Sequence, residues 1–115
     1  MQRTGSDPAD MRPDDFICDF SQKPWDGAFP MVEGHQGSLI SGDCLALAYR
    51  WVVLNGHTSL EPGCYTCTMC LETREDPCWQ SPARAEAVIC RRCIRQSATR
   101  LDKDPDWVWS KPADG

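Results

Sequence analysis

The run "CYTCTMC", residues 64–70, sets three cysteines at intervals of three. Cys67 can therefore form a Cys-x-x-Cys turn with Cys64 or with Cys70, and only one of those pairs can supply half of a four-ligand metal site. "CRRC", Cys90 to Cys93, is the only candidate for the other half. Pairing Cys67/Cys70 with Cys90/Cys93 leaves 19 residues between the knuckles, whereas Cys64/Cys67 leaves 22. Four-cysteine zinc sites favour roughly 15–20. The spacing thus selects Cys67, Cys70, Cys90 and Cys93, with Cys64 a near-ligand able to exchange with Cys70. Four thiolates around Zn²⁺ close its tetrahedron and leave no open position. The expectation is one structural Zn²⁺ per chain and no catalytic metal.

The flanking sequence places these knuckles in a small α+β, zinc-stabilised domain. "AVIC", ending at Cys90, reads as a short strand. From Arg91 the pattern turns helical, with Ile94, Ala98 and Leu101 on one face and Arg91, Arg92, Arg95 and Arg100 elsewhere. Asp104–Pro105 ends that helix. Upstream, "CLALAYRWVVLN" (44–55) predicts a helix capped by Ser41 or Asp43 and stopped at Gly56. Its apolar residues cover most of the circumference, so it must be buried on most sides, by the rest of the chain or by a second subunit. The chain divides into a polar, disordered segment 1–15, a helix-containing lobe 16–63, the four-cysteine module 64–103, and a tail 104–115 carrying Trp107 and Trp109. Phe16, Phe20, Trp25 and Phe29 are expected to pack, and "EGHQGSLISGD" (33–43) reads as turn material. Beyond the two cysteine knuckles no internal repeat is visible.

"CTMC", a turn-rich link, "AVICRRCIRQSA" and a following helix together resemble the four-cysteine zinc-binding domain at the N-terminus of ClpX-type unfoldases. The resemblance covers about residues 64–103. It implies a treble-clef-like zinc finger in which Cys67, Cys70, Cys90 and Cys93 bind the metal and Ile89 and Ile94 flank it. It also implies dimerisation and the binding of substrate or adaptor proteins. Leu71 stands where that family has glycine, and no ATPase domain or P-loop is present, so unfoldase activity is not implied.

Composition narrows the function. Residues 1–63 carry four Lys/Arg against nine Asp/Glu, and residues 64–115 carry eight of each. An acidic chain is a poor general ligand for phosphate backbones, so a protein partner is expected rather than nucleic acid. No apolar segment is long enough for a membrane span, and the first residues lack an apolar signal core; a cytoplasmic location is the expectation. In a reducing compartment paired cysteines bind metal more often than they form disulfides.

Three further readings concern the other cysteines and the basic helix. Cys44 at a helix start, with His35 or His57 as base, resembles a cysteine-enzyme nucleophile, but a dozen helical residues separate Cys44 from His57 by roughly 18 Å. A second metal site from Cys18, His35, Cys44 and His57 would use widely separated, unpaired ligands. The basic helix offers a nucleic-acid-binding zinc finger as an alternative. Protein–protein interaction by a non-enzymatic adaptor or homodimer remains the leading expectation, and Cys64 and Cys78 are spare thiols that oxidation can join.

Overall fold

The computed structural model describes residues 16–112. The N-terminal segment 1–15, expected to be disordered, lies outside the described residues. Four short strands and two helices follow in the order β1 (Met31–Glu33), β2 (Leu39–Ser41), α1 (Gly42–Ala48), β3 (Cys78–Gln80), β4 (Val88–Cys90) and α2 (Arg91–Asp102). The fold is mixed α+β, as the sequence predicts. β1 pairs antiparallel with β2, Met31 opposite Ser41, and β3 with β4, Cys78 opposite Cys90.

The Ser41 hydroxyl caps α1, accepting the Cys44 amide at 3.3 Å, a contact worth about 1 kcal/mol. After Ala48 the helix widens into a π-helical segment, Tyr49–Leu54, whose end bonds Asn55 N to Arg50 O at 3.0 Å. Gly56, at φ 69°, stops it, as a left-handed residue should. Leu45, Ala48 and Val52 face the core, while Leu47 and Trp51 are 54% and 39% exposed. α2 buries Ile94, Ala98 and Leu101 along one side and keeps Arg91, Arg92, Arg95 and Arg100 exposed.

The sequence offers no repeat beyond its cysteine knuckles, but the structure contains one. Adding 49 to a residue number in the first half gives its counterpart in the second. The bridge Ile17–Pro24 recurs as Thr66–Thr73. The amide of Cys18 bonds Lys23 O at 3.1 Å, and that of Cys67 bonds Glu72 O at 2.9 Å. Asp19 N reaches Leu39 O at 2.9 Å, and Thr68 N reaches Val88 O at 2.7 Å. The polar side chains of the same two residues reciprocate: Leu39 N donates to Asp19 Oδ2 at 2.6 Å and Val88 N to Thr68 Oγ1 at 3.0 Å. Gln22 and Leu71 both adopt left-handed φ, 62° and 61°. Each helix starts where its hairpin ends, at Gly42 and at Arg91. The hairpins differ by a two-residue shift in register that leaves the distance between knuckles unchanged, and the first helix turns π-helical after Ala48 where α2 stays α-helical.

The halves interlock through equivalent atoms. Phe20 O accepts the Ser81 hydroxyl from the second hairpin, and Met69 O, its counterpart, accepts the His35 amide from the first at 2.8 Å. Gly34 makes the latter approach possible, since a Cβ there would lie 2.7 Å from Met69 O. Phe20 stacks on Trp79 at 5.9 Å, and Arg84 pairs with Asp19 at 3.2 Å. One core runs through both halves, including Phe20, Ile40 and Leu45 from the first and Trp79, Ile89 and Ile94 from the second. The tail folds back: the Trp109 indole donates to Gly42 O at 3.1 Å, and Trp107 packs on the same core.

Candidate metal centre

Cys67 and Cys70 sit on the knuckle, whose turn is closed by Leu71 N on Cys67 O at 2.8 Å. Leu71 takes the left-handed conformation there without being glycine, which costs on the order of 1–2 kcal/mol. Cys90 ends β4 and Cys93 lies in the first turn of α2, so the strand-to-helix change aims both sulfurs back at the knuckle. The Cys90 amide donates to Cys67 Sγ at 3.4 Å.

The four sulfurs lie within 4.8 Å of one another, the one such grouping of potential ligands among the described residues. Cys67 and Cys90 are fully buried, Cys93 nearly so, and Cys70 half-buried. A tetrahedral ion with bonds of about 2.3 Å needs sulfurs roughly 3.8 Å apart, so the donor set suits a soft four-coordinate cation with little rearrangement. The same crowding prevents Cys67, Cys90 and Cys93 from ionising together. Hydrogen bonds from Cys90 and Cys93 hold Cys67 as a thiolate, down at about 2, while Cys90 is pushed up to about 12 and Cys93 higher by donating to Cys67 and by burial. A divalent cation removes that conflict by accepting all four as thiolates.

The structure thus brings together the four residues selected from the sequence. Cys64 is exposed and stands outside the cluster; Cys78 is buried in the core beside Thr58. His35 and His57 are exposed, the latter edge-on to Trp51 at 4.5 Å. The second site envisaged from Cys18, His35, Cys44 and His57 does not form among the described residues. The cleft bordering Cys44 is lined by groups such as Phe29, Leu47 and Trp79, with no histidine among its described lining residues. Cys18 and Cys44 nevertheless both contact Ser41, whose amide donates to Cys18 Sγ at 3.2 Å and whose hydroxyl accepts the Cys44 amide at 3.3 Å. They occupy the positions of Cys67 and Cys93, while Ser21 and Ser41 stand where Cys70 and Cys90 do. Sequence reasoning missed this because it searched for cysteine pairs. The signal was the spacing C-x₂-S-x₁₉-S-x₂-C, equal to that of the metal centre.

Beside the metal centre lies a polar cleft of about 680 Å³, bordered by Glu33, His35, Cys70, Glu72, Arg92 and Arg100. Among the described residues no helix is long and apolar enough to cross a membrane. Geometry therefore defines a small α+β domain with a four-thiol cradle able to hold a metal ion. Compared with known proteins, the chain matches no family model, and no similar curated protein or solved structure was found.

Proposed function

We propose that this chain is a zinc-binding protein–protein interaction module, an adaptor or a homodimerising accessory protein, in which one Zn²⁺ is structural. The convergence of four thiols, three of them buried, carries this reading. An all-thiolate set favours zinc over harder cations and leaves the ion no position for substrate. Its work is to hold the knuckle to the second hairpin and helix. In this reading the chain is not an enzyme. The likeness of residues 64–103 to the ClpX-type zinc domain supports interaction with proteins, and so does the surface. Leu47 and Trp51 are exposed one helical turn apart, and Leu71 is 43% exposed. The acidic overall balance favours such a partner over nucleic acid.

The test is native mass spectrometry with sedimentation analysis of protein purified without chelator. One zinc per chain is expected, together with a dimer that Leu47→Glu returns to monomer without loss of metal. A metal-loaded monomer would select the adaptor form. A folded, metal-free protein would overturn the reading.

A further inference from the structure

The first half keeps the backbone of the metal centre and two of its four sulfurs. Ser41 N donates to Cys18 Sγ at 3.2 Å, as Cys90 N does to Cys67 Sγ. Ser21 N adds a second donor to Cys18 at 3.3 Å. Exposure follows the same pattern in both sets, with only Ser21 and Cys70 half-buried. Serine hydroxyls are neutral, weak ligands. One of them is already engaged, since Ser41 Oγ caps α1. What remains is a pair of buried thiols flanking Ser41, at the positions of two sulfurs that in the second half lie within 4.8 Å of each other. Cys18 is wholly enclosed, whereas Cys44 borders an apolar cleft of about 690 Å³.

We infer that Cys18 and Cys44 form a thiol–disulfide exchange site which takes low-molecular-weight disulfides through this cleft, leaving the second-half metal centre intact.

The geometry assigns the two sulfurs different parts. Cys44, the one bordering the cleft, attacks a sulfur of the incoming disulfide RSSR, and its proton passes to Cys18. One RS⁻ departs, leaving a Cys44–SR mixed disulfide. Cys18 returns the proton to that RS⁻ and becomes a thiolate, stabilised by the Ser21 and Ser41 amides. It then attacks the Cys44 sulfur, closing the Cys18–Cys44 bond and expelling the second RS⁻. Two protein thiols are oxidised and one RSSR is reduced to two RSH equivalents, so electrons and protons balance. The polarity of the pair suits the second step, in which Cys18 attacks; the first step requires the Cys44 proton to pass to Cys18 as the new S–S bond forms. The hydrogen bond from Cys44 and the backbone amides draw Cys18 down to about 4, and Cys44 is correspondingly held as a thiol. Exchange of this kind requires a thiolate, a leaving group and access. The metal protects the other four sulfurs, because coordinated thiolates are not free to close a disulfide.

The experiment uses the full metal-loaded chain in a Cys64→Ser background, equilibrated with glutathione and glutathione disulfide. Free thiols are then alkylated, and intact mass, metal content and cross-linked peptides are measured. The expected product has lost two hydrogens, carries a Cys18–Cys44 link and retains its metal. Cys18→Ser is expected to stop at a glutathione adduct on Cys44, and Cys44→Ser to remain unmodified. If Cys18 and Cys44 both stay alkylatable, or if the first link joins second-half cysteines with release of metal, the inference is overturned. An adduct on Cys18 in place of Cys44 would overturn the assigned order. The Cys18–Cys44 link is mapped whether or not the second half binds zinc, so this result and the proposed function stand or fall separately.

Discussion

Residues 16–53 and 65–102 share a knuckle, a hairpin and a helix, joined by the same hydrogen bonds, yet only the second set assembles four sulfurs. Two serines account for the difference: Ser21 and Ser41 stand at the positions of Cys70 and Cys90. A backbone of this kind therefore does not need four metal ligands once a neighbour supplies a core. The first half leans on Phe20, Val32, Ile40, Leu45 and Val52, which join the core of the second half. The second half supplies Tyr65, Met69, Trp79, Val88 and Ile89 to the same core from its knuckle and hairpin, and adds a four-thiol cradle able to hold a metal.

The widest test of this contrast is removal of the metal. Cys90→Ser, or exhaustive chelation, is expected to unfold the second half and, through the shared core, most of the chain. Zinc in small domains contributes about 10–16 kcal/mol, so circular dichroism should show loss of the cooperative melt. Cys44→Ser at the first-half position should keep the native spectrum and lower the melting temperature by only a few degrees. Acid should act like chelation, because protons compete for the thiolates. Metal content should fall as pH is lowered and recover on neutralisation.

Smaller effects follow at the paired isoleucines. Ile40 and Ile89 are both fully buried, each one residue before the last residue of its hairpin. Each truncation to alanine should cost about 2–5 kcal/mol in metal-loaded protein, as read by urea titration. Equal costs would mean that the halves are packed alike; a much smaller cost at Ile40 would show that the metal-free half has relaxed.

The finest comparison concerns the knuckle turns. Gln22 and Leu71 hold left-handed φ values within a degree of each other and are exposed. Gln22→Gly and Leu71→Gly should each stabilise by about 1 kcal/mol, seen as small rises in urea midpoint. A gain at one position alone would break the equivalence of the turns.

These contrasts also explain what the sequence disclosed. The metal centre was legible because cysteine is rare and its spacing has a narrow chemical meaning; Cys67, Cys70, Cys90 and Cys93 lie together as selected. α2 was legible from the period of Ile94, Ala98 and Leu101, and α1 from its cap and its glycine stop. The repeat was hidden because side chains diverged while the backbone did not. Among residues 16–53, only Cys18, Ile40 and Cys44 meet an identical residue 49 positions on. β3 was missed because three residues, Cys78 to Gln80, carry too little alternation to signal a strand. β1 and β2 hid inside a glycine-rich stretch whose turn, with Gln36 at φ 55°, looks like a loop from composition alone. Burial of α1 on most sides was overestimated, since Leu47 and Trp51 remain at the surface and periodicity cannot say which apolar residues a small core leaves out.

The most direct test of the account is to count metal ions by native mass spectrometry in the natural chain and in Ser21→Cys/Ser41→Cys. The first half then carries four cysteines at the spacing of the second. The account predicts one zinc per natural chain and two per variant, with both proteins folded. A variant that still binds one ion, or a natural chain that folds with none, would contradict it.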